Sequence, residues 1–459
     1  MRRVLPIMLM ALSLTACGTG DRVELRVDPP DVRQVARVGL RVWDTEMVLV
    51  ADAWLEVGDA DGQIALPWRV PLVASGQARW FLAEVELYDA NLCPFARAVV
   101  SGGSGEPAPE LVFEDTAMAG CAAAFVDPDG APGACSEEAP CASLNDTLDA
   151  VTQDGRPEVV YLRGDVEHVD ASDGGVLLNR GHGTGEPGAP FMLRAWPGTG
   201  TPRVRTARPE DGVVRLCCND DAGQHVVIDG LDLAGGVRFG VEINGAQGRS
   251  NVIRHCLVHD NGLAMPGGPD DSPQERGRRD AAVIAFNGAS DTLIEHNVLR
   301  DTGVRASGSP TLLPGVGLRI SGTGVVRGNV ISGNAEHGIT MGGPAIDVRV
   351  EDNVVCRNEE IGIDADGDAR IAHNSVVANG GDGIALGDTG SRTTNNLVVD
   401  NAGAGLSNPD QGTGDWLHGN GDGREDGEPR FLAVDMCVLT LRSDSPVRGA
   451  RSGETPGAR

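Results

Sequence analysis

The sequence predicts an all-β chain: a coil of short strands stacked into parallel sheets, preceded by a small antiparallel β-sandwich. Three observations predict it. The first is a repeat. GNVISGNAEHGITMGG from Gly328 is followed by DNVVCRNEEIGIDADG from Asp352, HNSVVANGGDGIALGD from His373 and NNLVVDNAGAGLSNPD from Asn395. A first Asn falls at 329, 353, 374 and 396, a second at 334, 358, 379 and 401, and a Gly at 338, 362, 383 and 405. Three markers moving together in steps of 24, 21 and 22 residues mean one supersecondary unit stacked on itself. The second observation is strand length: apolar runs such as VIS and GIT suit a wound coil better than a flat sheet. The third is a period of two between Asp21 and about Gly120, as in ARWFLAEVELYD and ARVGLRVWD, punctuated by Pro and Gly.

The elements follow in order. Arg2 and Arg3 precede an apolar run, Val4 to Leu12, and then Leu14-Thr15-Ala16-Cys17, which together read as a signal peptide over residues 1–16. The run is too short to span a membrane. LTAC resembles the lipobox of bacterial lipoproteins. That resemblance implies cleavage before Cys17 and lipidation of Cys17. With Gly18 next, it implies an outer-membrane lipoprotein on the periplasmic or cell-surface side. Residues 17–120 are then the lipid-anchored sandwich, which offers no catalytic cluster and reads as a spacer.

Composition narrows the chemistry. The formal net charge is −28 and no Lys occurs, so all 38 cationic side chains are Arg. An acidic chain repels phosphate backbones, which argues against nucleic acid as a partner. It attracts cations such as calcium, or simply stays soluble. Without Lys, Schiff-base and Lys-base chemistry are excluded. Beyond Cys17 there are nine Cys. Cys135 with Cys141 and Cys93 with Cys121 are the expected disulfides of an exported chain, and an odd count leaves at least one free thiol. No Cys spacing suits zinc.

Ser143 to Val151 places apolar residues at 144, 148 and 151 and an Asp three after Ser143, a short capped helix that would plug the open first turn of the coil. The register extends upstream through Asn297, through Cys256 in the Asn place, and through Leu231 with Gly240, giving at least seven turns. Stacked Asn at a turn hydrogen-bond the backbone and one another along the coil axis. The repeat Gly is expected to take a positive φ at the next corner. Residues 451–459 read as a disordered tail.

VDPDGAPGACSEEAPCASLNDTLDAV, VVYLRGDV, the N-x4-N-x3-G repeats and the ending EPRFLAVDMCVLTLRSDSPVRGA resemble the right-handed parallel β-helix proteins of the pectate-lyase-like superfamily, over about residues 125–450. The resemblance implies a right-handed coil. It leaves activity open, because that coil hosts lyases, hydrolases, epimerases, tailspikes and adhesins.

Stacking turns sequence offsets into neighbours about 5 Å apart. Two insertions, Gly262 to Asp280 and Gly303 to Val316, interrupt the period at the same corner and should wall one strip of surface. That strip carries Glu242, Arg319, Thr340, Asp364 and Ala385; the first loop adds Arg276, Arg278 and Arg279 as clamps for substrate carboxylates. Asp364, Asp366 and Asp368 are candidate calcium ligands. The lyases of the superfamily use Lys or Arg as base, which makes Arg319 the candidate here. A hydrolase instead needs two carboxylates roughly 5 to 9.5 Å apart, for which Asp364 with Asp382 or with Glu242 are the options. A second strip, His255, His296, Asp352 and His373 beside Asp260 and Asp301, reads as a ladder of solvated turn residues or as an acid–base patch. The sequence thus supports a monomeric lipoprotein that binds, and as a lyase or hydrolase cleaves, an acidic polysaccharide. The alternative is a non-catalytic structural or adhesion coil.

Overall fold

The computed structural model describes most of residues 35–423, together with Cys437 and the strands Leu12–Thr15, Arg22–Val27 and Ile64–Arg69. The segment around Cys17, the loops 263–280 and 304–314, and residues 424–459 apart from Cys437 lie outside the described residues, as do shorter stretches between elements. From Ala122 the chain winds as a right-handed parallel β-helix, the hand that right-twisted strands favour in parallel crossovers. Its three parallel sheets contain eleven, ten and eight strands. One turn places Ile346–Glu351 in the first sheet, Val354–Cys356 in the second and Ile363–Ala365 in the third. The next turn repeats this with Asp368–Ala372, Ser375–Val377 and Ile384–Leu386, in register Val354↔Ser375 and Ile363↔Ile384.

The period of two sets the inside. Val355, Val376 and Val398 sit fully buried in one file, part of a core that runs unbroken from Val126 to Leu417. The helix Leu144–Ala150 closes the first turn: Ser143 caps it by accepting from Asp146 N at 3.2 Å, and Leu144 and Leu148 join the coil's core. Where each turn bends out of a sheet, the ladder cannot satisfy the backbone, and the two Asn columns do so instead. Asn329 Nδ2 donates to Ile294 O, to Arg327 O and to Asn353 Oδ1, while its backbone N–H also donates to Asn353 Oδ1. Asn353 relates to Asn374 in the same way, and Asn374 to Asn396. Asp415 ends this column, accepting from the backbone and the amide of Asn396, both at 2.8 Å. The second column passes from Asn334 through Asn358, Asn379 and Asn401 to Asn420.

One expectation fails. None of Gly338, Gly362, Gly383 and Gly405 has φ in the left-handed region. They are Gly because a Cβ has no room: at Gly362 it would stand 2.5 Å from Val376 Cγ1 and 2.6 Å from Gly383 O. The left-handed residues are those just before each marker Asn. His255, His296, Asp352, His373 and Asn395 have φ between 53° and 57°, and Asp260, Asp301, Arg357, Ala378 and Asp400 occupy the matching place before the second marker. Asp, Asn and His are the non-Gly residues that tolerate this conformation best. The second strip of the sequence is therefore first of all a backbone requirement.

Cys93–Cys121 and Cys135–Cys141 are bonded, as are Cys356–Cys437 and Cys217, and Cys256 is free and buried. The N-terminal strands form two antiparallel sheets of three and five strands. The larger one, with Arg37–Asp44, Leu49–Glu56, Trp80–Tyr88, Pro94–Gly103 and Glu114–Asp115, packs against the outer face of the coil's first sheet. Tyr88 shares an apolar cluster with Tyr161 and Met192, Tyr161 Oη donates to Leu92 O at 2.7 Å, and Trp43 stacks on His255 at 4.2 Å.

Candidate functional site

The third sheet turns one file of side chains outward. Arg215, Glu242, Ile284, Arg319, Thr340, Asp364 and Ala385 follow one another across seven strands. The predicted file is thus in register, and the structure adds Arg215 and Ile284 to it. The insertions leave from one corner: Gly303 N donates to Asn261 O, Gly262 N donates to Gly236 O, and the strands that resume at Ala281 and Val316 pair side by side. Arg276, Arg278 and Arg279 lie outside the described residues.

The register rules out one of the expected pairs. Glu242 and Asp364 are four strand spacings apart, about 19 Å, far beyond the reach of a cooperating carboxyl pair. Asp382 is engaged elsewhere, since its Oδ1 accepts from Ala404 N at 2.7 Å and caps the following turn. Asp364, Asp366 and Asp368 do not form a triad with ligand atoms within 4.8 Å of one another; among the described residues Glu336, His337 and Glu360 do, at the corner feeding this sheet.

That corner is what sequence reading missed. Glu336, His337 and Glu360 occupy the gap between the second Asn and the Gly of two successive repeats, AEH and EEI, where the later copies have GGD and AGA. The stacked turns bring them together, with Glu360 N donating to Glu336 O at 2.9 Å. His337 Nδ1 accepts from Ile361 N at 3.2 Å, which leaves the ring proton of the neutral imidazole on Nε2, 3.9 Å from Glu336 Oε1. Glu336 Oε2 is buried without a hydrogen-bond partner. Burial raises the Glu336 carboxyl, opposed by His337 and Arg319 and reinforced by Glu360 and Asp364. Burial also raises Asp364, opposed by His337 and Arg319 and reinforced by Asp366. Two carboxyls that hold their protons more tightly than usual therefore share the guanidinium of Arg319. An arginine flanked by carboxyls is suited to clamp an anion more than to remove a proton.

Further along the same face, Arg215, Arg238, Phe239, Glu242, Asn244 and Phe286 line a cleft of about 160 Å³. Glu242 accepts from Arg215 Nε and from Asn244 Nδ2, both at 3.0 Å.

A second polar cluster lies under the docked N-terminal sheet. Arg41 Nη2 meets Glu84 at 2.6 Å and Asp229 at 2.8 Å; Arg194 grips Glu86 with both Nη atoms; Arg254 reaches Asp229 at 3.1 Å; Arg97 bonds Glu84 and faces Glu295. Four guanidiniums thus meet four carboxylates, and each side is contributed by both the sheet and the coil. Burial alone would raise Asp229, but Arg254, Arg41 and Arg194 hold it well below the usual carboxylate range. Glu84, Asp229 and His255 also lie within ligand distance of one another, but Arg41 already occupies both carboxylates, so the arrangement serves as a latch between the sheet and the coil.

Residues 273–421, under half of the chain, match the family described as periplasmic copper-binding protein (NosD). No curated protein matches. Among solved structures, the chain is similar to the periplasmic alginate epimerase AlgG (12% identity, 62% of this chain and 80% of that one, TM-score 0.35). It is also similar to the pectin methylesterase from Aspergillus niger (13%, 70% and 93%, TM-score 0.27) and to the major allergen of cedar pollen (9%, 71% and 86%, TM-score 0.30).

Proposed function

We propose that the chain is an extracytoplasmic β-helix protein that binds an acidic polysaccharide along the outward face of its third sheet and hydrolyses it there. The observation that carries the reading is the pair Glu336 and Asp364, both raised by burial and facing one guanidinium. A carboxyl that holds its proton more tightly than usual is suited to donate it to a glycosidic oxygen, and a second carboxyl beside it completes an acid–base pair. In this scheme Arg319 clamps the carboxylate of a uronate unit. The extracytoplasmic placement is supported by the signal-like start and by the match of residues 273–421 to a family described as periplasmic.

That description also names copper. The described residues suit it poorly: copper prefers imidazole and sulfur, whereas the corner offers one imidazole whose Nδ1 already accepts an N–H, and the Cys256 thiol is buried with burial pushing it up to about 12. Calcium, a hard cation, suits an oxygen-rich corner better, and Glu360, which the acid–base pair does not use, would be its carboxylate ligand there.

Incubation with a panel of polyuronates, with EDTA and after calcium is restored, tests the whole reading. Hydrolysis releases reducing ends without the ultraviolet absorbance of unsaturated products. Appearance of that absorbance would make the protein a lyase, and silence in both assays, with no binding, would leave the coil a structural rod.

A further inference from the structure

We infer that the cleft bounded by Arg238, Asn244, Phe286 and Asn287 is a separate recognition subsite for a single sugar-acid unit, set so that the protein reads polyuronates of roughly four units or more. The inference rests on the polyuronate reading above and deepens it.

The chemistry of the cleft selects its occupant. Phe286 is partly exposed and packs on an apolar cluster of Phe239, Ala281, Ile284 and Val316, so its ring is held as a fixed platform for the flat apolar face of a pyranose. Asn244 and Asn287 stand beside it, joined by a 2.8 Å bond from Asn287 Nδ2 to Asn244 Oδ1. Each keeps amide capacity for ring hydroxyls. Glu242 is not available to the ligand, because Arg215 and Asn244 hold it and it is almost fully buried. Its hydrogen bond fixes the Asn244 amide with Oδ1 toward Asn287. Arg238 is the remaining cation of the wall. Unlike Arg215, it makes no ion pair with a described residue. An apolar ligand would strand the two amides and the guanidinium, and a neutral sugar would offer Arg238 no charged group to pair with. A ring bearing a carboxylate satisfies all three.

Position gives the length. The strand that carries Phe286 lies three spacings, about 14 Å, from the strand of Asp364. One pyranose repeat is close to one strand spacing, so a chain lying along the file fills the cleft and reaches Asp364 together only when it has roughly four units or more. Occupying two linked sites turns the second contact into an intramolecular one, and affinity should therefore step up with length rather than climb evenly.

The test is calorimetric titration of the full protein with galacturonate and guluronate oligomers from the monomer upward. Wild type should show the step near the tetramer. Arg238→Ala and Phe286→Ala should each weaken the long oligomers roughly tenfold and leave the dimer unchanged. Arg319→Ala should weaken long and short oligomers alike. If long oligomers bind but neither cleft variant changes their affinity, or if affinity has no step, the subsite is refuted while the polyuronate reading stands. If no oligomer of any length binds, both fall.

Discussion

Replacing Asn353 by Ala removes the centre of the first Asn column, and its cost follows from the bonds it breaks. Asn353 Nδ2 donates to Val326 O at 2.9 Å, to Glu351 O at 3.0 Å and to Asn374 Oδ1 at 2.9 Å. Its Oδ1 accepts from the backbone and the amide of Asn329, both at 2.9 Å. Alanine leaves a buried backbone N–H at Asn329 with no acceptor and takes a donor from two carbonyls. An orphaned buried donor costs about 1–3 kcal/mol and each further lost bond about 0.5–1.5 kcal/mol, so the variant should lose about 4 kcal/mol. Asn420, at the end of the second column, makes three such bonds, to Val398 O and from the backbone and amide of Asn401. Asn420→Ala orphans the Asn401 N–H but loses fewer further bonds, and should therefore cost about two-thirds as much. Urea unfolding followed by far-ultraviolet circular dichroism reads both. The double variant with Asn374→Ala should cost less than the sum of the two single changes, because the two residues share a bond. A loss below about 1 kcal/mol for Asn353→Ala, or equal losses at the two positions, would refute the claim that the amide columns carry the corners.

Further outcomes follow from other parts of the structure. Arg41→Met leaves Glu84 and Asp229 short of a partner beneath the docked sheet and should cost about 3–5 kcal/mol in the same assay; a loss under about 1 kcal/mol would show that the latch is replaceable. Burial, with His255 adding to it, lowers His296 to about 3, against about 6.5 in the unfolded chain. Its contribution to stability is therefore complete above pH ~6.5 and is lost as pH falls toward 3, by at most about 1.4 kcal/mol per pH unit. His296→Asn, which keeps a residue suited to the left-handed corner, should flatten that slope, and parallel slopes would refute the assignment. Gly362→Ala forces a Cβ against Gly383 O and should lower stability by about 1–3 kcal/mol, whereas Gly342→Ala, with nothing within 4 Å, should leave the melting temperature unchanged. If the protein hydrolyses a polyuronate, Glu336→Gln should slow cleavage by roughly two to four orders of magnitude and abolish the alkaline limb of the pH profile.

The winding is legible in the sequence because it is periodic. Every stacked contact between turns lies one repeat away along the chain, so the Asn columns and the outward file follow from spacing alone. The role of the repeat Gly is not legible in the same way, because crowding across turns leaves no local signature distinct from a demand on φ. The latch has no signature at all: Arg41 and Asp229 are 188 residues apart, and nothing periodic links an antiparallel strand to a corner of the coil. The Glu336–His337–Glu360 corner lies within the quoted repeats, in the short gap before each Gly. The contrast of AEH and EEI with GGD and AGA in that gap is the signal that marks it. The loop arginines remain beyond what the fold explains.

The Asn column also has a direction. Each amide passes a proton bond on to the following turn, so every rung needs an acceptor above it. At Asp415 the sequence substitutes a carboxylate, which takes bonds from Asn396 and from Thr393 Oγ1 at 2.6 Å and has no proton to hand onward. A further rung, whether from the same chain or from a second copy meeting this end, would present an amide oxygen to an anion. The amide column thus closes on a carboxylate, which accepts from the turn before it and offers the turn after it no side-chain N–H.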